Sequence, residues 1–338
     1  RDTFADCDPL FATWHDKNLP LVFKRHLCTN AFQNDSVEKA AMLRDYWGAG
    51  RIWPSTDTIA GLAHIAIAYD LTRGLGNDTA KPLWDAKAKE KVEKNLILEY
   101  LMGSEPFLGG PDKADNNSNK APRAYYAMAA VGGTLQIPDF IKTAVSGYAG
   151  ILEHAFLPDG FSRQSPGYTN MYLVNLTRTA SILNSSHMAG VVENHQLDSA
   201  NERLKLAFRA IFDQLRPDGS FFPLADTSIA RKPSAVILKN VAGTEPLLLS
   251  KKSNASGIDI LVDIGVPEPR KNIPTASESG PPEIFFPSWM TAILRHQAND
   301  KKSALAITLS PHGGHRHRDN LGLFYENDGN IILGDHGY

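Results

Sequence analysis

The chain has 338 residues, of which 42% are apolar and 21% charged, and its 35 basic and 37 acidic side chains leave a net charge of −2. This suits one large globular domain or two ordinary ones, excludes wholesale disorder and gives no general electrostatic footprint for nucleic acid. No run of 18 apolar residues occurs, so no transmembrane helix is expected, and the opening Arg1-Asp2-Thr3-Phe4 holds no hydrophobic signal core.

Near the N-terminus stand the only two cysteines, Cys7 and Cys28, without a CxxC pattern. They form either one disulfide closing an N-terminal loop or two buried thiols. Six N-x-S/T sequons occur, at Asn34, Asn77, Asn116, Asn175, Asn184 and Asn254. They exceed the roughly two or three that composition gives by chance, which favours a secreted, extracellular glycoprotein and hence the disulfide.

From Ser36 to about Phe212 the pattern is helical. Ile59 to Leu71 is apolar nearly all round, which predicts a helix buried on several sides. Phe140, Ala144, Tyr148, Ile151, Leu152 and Ala155 recur at helical spacing, as do Leu204, Phe208, Ile211 and Leu215. Two helices stop in the same way, at Leu157-Pro158-Asp159-Gly160 and Arg216-Pro217-Asp218-Gly219. Proline breaks each helix and Asp-Gly makes the turn. The stops are 59 residues apart, room for one pair of helices between them. Stacked helical pairs point to a toroid or solenoid. After Pro223 the texture changes to Pro, Gly, Ser and Lys, and then to β-like runs at Trp289 to Leu294, Ala304 to Leu309, Leu321 to Tyr325 and Asn330 to Leu333, with Asn327-Asp328-Gly329 as a hairpin turn. The expected division is a helical domain over 1–228 and an antiparallel β domain over 229–338. Strands ending at Tyr338 with nothing to close them would expose an edge and one face, so a truncated β domain completed elsewhere, by a second chain for example, is expected.

Three segments could carry chemistry. The first is His312-Gly313-Gly314-His315-Arg316-His317-Arg318-Asp319, where His315 and His317 fall on one face of a strand and could bind a metal or an oxyanion. Downstream, Asp335 could meet His317 across strands as a His/Asp pair suited to zinc. The plain alternative is a solvated His/Arg loop. In the second segment, Ser165-Pro166 reads as an N-cap and first helical position, placing Tyr168 in the first turn as a proton carrier with Arg163 nearby in sequence. Packing alone is the competing reading. The third is Asp115-Asn116-Asn117-Ser118-Asn119-Lys120, either an ordinary helix start or a cluster of amides that hydrogen-bond a carboxylate.

In this order the three segments resemble the heparinase II/III-type polysaccharide lyases, a family that includes alginate and oligoalginate lyases and dermatan sulfate epimerases. The H-x-H-x-D block with the following Asp328-Gly329 resembles the family's β-domain start, Gln164 to Tyr168 its catalytic-tyrosine segment, and Asn116-Asn117 its Asn-Asn-His segment. Ser118 and Thr169 stand where many members carry histidine. The resemblance implies an α+β fold, an incomplete (α/α) toroid of helical hairpins followed by antiparallel β-sheet. It implies β-elimination on a uronate-containing polysaccharide. Tyr168 would be base and acid, Asn117 would neutralise the carboxylate, and His315 would assist. Asn116, Arg163, Arg316 and Arg318 would bind substrate. It also implies a structural zinc held by His317 and Asp335, with a third ligand unidentified. A uronyl epimerase, a glycoside hydrolase drawing on Asp57, Asp115 or Asp159, and a non-catalytic glycan-binding protein are the alternatives.

Overall fold

The computed structural model describes residues 58–75, 82–98, 100–101, 119–185, 190–191, 194–234, 237, 283–299, 301–309 and 321–334. The chain divides into two compact units. The described part of the first is 58–101 with 126–140, and that of the second is 119–125 with 141–334. The helices after Phe140 group with the sheet in the second unit.

The first unit holds α1 (Thr58–Thr72), α2 (Ala86–Glu90) running into a π-helical stretch Lys91–Leu98, most of α3 (Ala121–Leu135) and the start of α4 (Pro138–His154). Helix α1 buries Ile59, Leu62, Ala63, Ala66 and Tyr69 but leaves Ile65 and Leu71 exposed. It is thus buried along one stripe rather than on the several sides that its composition predicts. Between α1 and the π-helical stretch, Tyr69 donates its hydroxyl to Glu93 at 2.6 Å and packs edge-on against Trp84. Burial first, then the Glu93 bond and charge, push the Tyr69 phenol up to about 12. Arg73 ties the end of α1 to α3 through the Thr134 carbonyl at 2.6 Å.

In the second unit the repeated turn follows α4 and recurs after α6 (Asn194–Asp213), with α5 (Pro166–Leu183) and α6 between the two copies. Leu157 and Arg216 each accept from the glycine three residues on, Gly160 and Gly219, at 2.9 Å. In the same places Asp159 and Asp218 accept the backbone N–H two residues on. The bridges Phe156–Ser162 and Leu215–Phe221 then close each turn. Both glycines have positive φ, +83° and +77°, which a side-chain-bearing residue rarely adopts. Two helices, α5 and α6, lie between the stops, as the spacing predicts. Helix α5 is buried over most of its length, and Thr177 and Thr179 satisfy their buried hydroxyls on the carbonyls of Leu173 and Asn175.

The five strands form an antiparallel meander in sequence order: β1 (Glu283–Phe286), β2 (Thr291–Ala298), β3 (Lys301–Thr308), β4 (Gly322–Asn327) and β5 (Asn330–Leu333). Asp328 and Gly329 both have positive φ, as a two-residue hairpin turn of this hand requires. The strand β1 is not foreseen by the sequence pattern. The inner face presents Phe286, Ile293, Ala304, Ala306 and Phe324, and these pack on Leu157, Phe161, Ala210, Phe222 and Leu224 from the turns and their surroundings. Phe161 stacks on Trp289 with centroids 4.5 Å apart. The outer face is apolar, with Phe285, Leu294, Leu323, Tyr325 and Leu333 exposed.

Two arginines fasten sheet to helices. Arg295 of β2 donates to the carbonyls of Asp213 and Leu215 at 2.6 and 2.9 Å, filling the acceptors left open at the end of α6. Burial lowers its guanidinium to about 10, with Asp213 pulling the other way; the same burial raises the Asp213 carboxyl, which Arg209 and Arg295 oppose. Arg216, in the second turn, is ion-paired with Glu326 of β4, its Nε lying 2.7 Å from Oε2. Both partners are almost fully buried.

Candidate functional site

The start of α5 is where the sequence places Tyr168, and its backbone is built as expected. Ser165 is the N-cap, with its side chain accepting from the Tyr168 N–H at 3.4 Å, and Pro166 occupies the first helical position. The Tyr168 ring is half-buried in a neighbourhood where Pro166, Gly167, Thr169 and Asn170 are all buried.

The first turn of a helix leaves backbone N–H groups without intrahelical partners. Here Pro166 has none to offer, Tyr168 is served by Ser165, and Thr169 reaches the Ser165 carbonyl at 2.8 Å. The Gly167 N–H is taken by the Thr227 hydroxyl at 3.0 Å, from 60 residues away. Thr227 belongs to an irregular strap, residues 222–234, that crosses the start of the helix. Ser165 donates its hydroxyl to the Asp226 carbonyl at 3.1 Å, and the Ser234 N–H donates to Asn170 Oδ1 at 2.8 Å. Arg216 holds the strap from behind through the Ile229 carbonyl at 3.1 Å. At the strap's bend Ala225 has φ +51°, a left-handed conformation for a non-glycine residue. Sequence reasoning misses Thr227 and the strap entirely. A lone threonine after Pro-Leu-Ala-Asp carries no local signal, because its role depends on a contact 60 positions away.

Several side chains around this turn also serve the fold. Thr169 lies 2.5 Å from the Ser162 hydroxyl and is buried. Arg163 donates Nε to the His154 carbonyl at 2.8 Å, closing the end of α4, so part of its donor set serves the fold. Asp159 uses Oδ1 on the Phe161 N–H and Oδ2 on the Ser288 N–H at 3.0 Å. Both of its carboxylate oxygens are thus engaged in holding the turn against the sheet, which removes it as a hydrolase acid. Asn175 is 6% exposed and donates Nδ2 to the Met171 carbonyl at 3.0 Å. A glycan cannot be carried on that atom in the folded chain, which corrects the expectation for this sequon. Asn184 is exposed at the end of α5, with space for one.

Asn116, Asn117, His315, Arg316, His317, Arg318 and Asp335 lie outside the described residues, as do Cys7, Cys28, Asn34, Asn77 and Asn254. The convergence of Tyr168, Asn117 and His315 is therefore not visible. The helix expected to follow the Asn-rich segment does begin there, with α3 starting at Ala121 and Pro122 in its first turn. Among the described residues no group of three or more His, Cys, Asp or Glu side chains could hold a metal ion. Both sequence-derived zinc ligands fall outside them.

No protein-family profile matches this chain, and no curated protein matches it either. Among solved structures it is similar to the crystal structure of heparinase III, with a TM-score of 0.57 at 12% sequence identity, over 97% of this chain and 50% of that one. At that identity the likeness concerns fold alone. The chain has a helical region followed by an antiparallel sheet in a heparinase III-like arrangement, and it spans half the length of the heparinase III chain.

Proposed function

We propose that the protein is a secreted polysaccharide lyase that cleaves a uronate-containing glycan by β-elimination. The observation that carries this reading is the half-buried Tyr168 in the doubly capped first turn of α5, at the position the tyrosine motif assigns, in a chain of heparinase III-like fold.

The C5 proton of a uronate is very weakly acidic. It can be removed only if the charge developing on the carboxylate is met by preorganised donors. In this reading Asn117 and His315 supply those donors, and Asn116, Arg316, Arg318 and the free edge of Arg163's function grip neighbouring anionic groups. Tyr168 takes the C5 proton as phenolate and returns a proton to the O4 leaving oxygen, so that the C4–O4 bond breaks as the C4–C5 double bond forms. Phenol has an ordinary pKa near 10 and needs a positive environment to work near neutral pH; the basic block from His315 to Arg318 is the proposed source. Asp159 serves the fold, and the other two hydrolase candidates, Asp57 and Asp115, lie outside the described residues.

The disulfide Cys7–Cys28, glycans at Asn34, Asn77, Asn184 and Asn254, and a structural zinc on His317 and Asp335 belong to the same proposal. Tyr168→Phe keeps the ring and removes the titrating group. Loss of a general acid/base costs about 100- to 10,000-fold in rate, so this variant should be nearly inactive with an unchanged melting temperature. Full activity of Tyr168→Phe would overturn the assignment.

A further inference from the structure

We infer that Thr227 is a positioning residue for Tyr168, and that the strap 222–234 acts as a buttress setting where the phenol stands. This rests on the proposed role of Tyr168 and goes beyond it, since nothing in the tyrosine motif points to residue 227.

The case begins with the donors at the start of α5. Capping by Ser165 alone serves the Tyr168 N–H and leaves the Gly167 N–H, one residue before the tyrosine, without an intrahelical acceptor. The Thr227 hydroxyl fills that place at 3.0 Å. Gly167 and Thr227 are both buried, Thr227 being 1% exposed, so water cannot take over if the hydroxyl is lost. The fit is close as well as polar. A Cβ added at Gly167 would sit 3.4 Å from Thr227 Oγ1 and 3.5 Å from the Asp226 carbonyl. These are ordinary contact distances, so the strap lies directly against the helix backbone at the residue preceding Tyr168 whether or not that residue is glycine.

The strap is itself held at several points. The Asp226 carbonyl accepts from Ser165 on the other side of Gly167, Ser234 is tied to Asn170 within the next turn, and the Phe221 N–H bonds the Arg231 carbonyl at 2.8 Å, pinching the loop at its base. Arg216, anchored on Glu326 of the sheet, holds Ile229. Tyr168 is thus flanked at Ser165, Gly167 and Asn170 by contacts from one loop, and that loop is fixed to the sheet. An acid/base group must reach its proton at hydrogen-bond distance, and a displacement of about 1 Å can cost about 100-fold in rate.

The test compares kcat and KM of four variants on a uronate polymer that the protein cleaves, with thermal unfolding of each. Thr227→Val keeps the shape and removes the acceptor; we expect kcat to fall about 100-fold with KM little changed. Thr227→Ser restores the hydroxyl and should recover most of that loss. Asn170→Ala frees the far end of the strap and should lower kcat to a smaller degree, and it serves as the test if the valine variant does not fold. Tyr168→Phe is run alongside. If it is inactive while Thr227→Val and Asn170→Ala retain wild-type kcat, the buttress is wrong and the tyrosine reading stands. If Thr227→Ser falls as far as Thr227→Val, the hydroxyl is not what matters and the inference is overturned. If Tyr168→Phe is itself fully active, the tyrosine reading fails and the buttress has nothing to position.

Discussion

Arg216 is the side chain on which polar contacts from the second turn, the strap and the sheet meet. It is paired with Glu326 and also donates to the Ser220 hydroxyl at 2.9 Å and to the Ile229 carbonyl. Its guanidinium further lies 5.3 Å from the centre of the Phe324 ring. The second turn, the strap and strand β4 therefore share one cation. Breaking a buried pair by removing one partner typically costs about 3–5 kcal/mol, because the remaining charge is uncompensated. Glu326→Leu should lower stability by about that amount in denaturant unfolding. The double variant Arg216→Met with Glu326→Leu should regain a substantial part of it, and a double variant no more stable than the single would contradict the pair's role. Neither partner stands out in the sequence. Arg216 precedes a turn, and Glu326 lies in a strand otherwise read as apolar, where an inward-facing charge runs against the alternation. Tyr168 was legible because Ser165-Pro166 is a local signal, whereas its support from Thr227 was not.

At the level of the element, the repeated Pro-Asp-Gly turn was the most legible feature of the chain, since everything that makes it is local. The structure repeats it down to the individual hydrogen bonds. What sequence could not give is that the two copies sit in different surroundings. A Cβ on Gly160 would meet the Leu206 carbonyl oxygen of α6 at 2.5 Å, while one on Gly219 would meet nothing within 4 Å. Both glycines have positive φ, a conformation that costs about 1–2 kcal/mol for an ordinary residue. Gly219→Ala should destabilise by about that amount alone. Gly160→Ala must also displace backbone and should cost clearly more, so equal melting temperatures for the two variants would contradict the close approach of α6. Strand β1 escaped sequence reading because four residues behind a double proline give too little alternation to register. Strand β2 runs on to Ala298 through Arg295-His296-Gln297 because Arg295 is taken up by the α6 carbonyls and the strand's far end lies at the surface.

For the whole molecule, the change of texture after Pro223 made the class of fold readable, whereas the packing of the later helices against the sheet carries no local signal. The expected boundary separated helices from strands. In the structure the sheet's inner face is covered by the turns at Leu157–Phe161 and Phe222–Ala225, so the later helices and the sheet share one core. Phe161, directly after Pro158-Asp159-Gly160, and Phe222, three residues after Gly219, look like ordinary loop residues until the strands arrive to bury them. This arrangement links the sheet, through Arg216 and the strap, to the start of α5 and so to Tyr168. The central claim is that this tyrosine serves β-elimination on a uronate glycan. The most direct test is to incubate the protein with alginate, glucuronan, heparan sulfate and chondroitin sulfate in turn and follow the ultraviolet absorbance of the unsaturated uronate that only elimination creates. The account predicts growing absorbance with at least one of these polymers. Chain cleavage without that absorbance, or binding without cleavage of any of them, would contradict it.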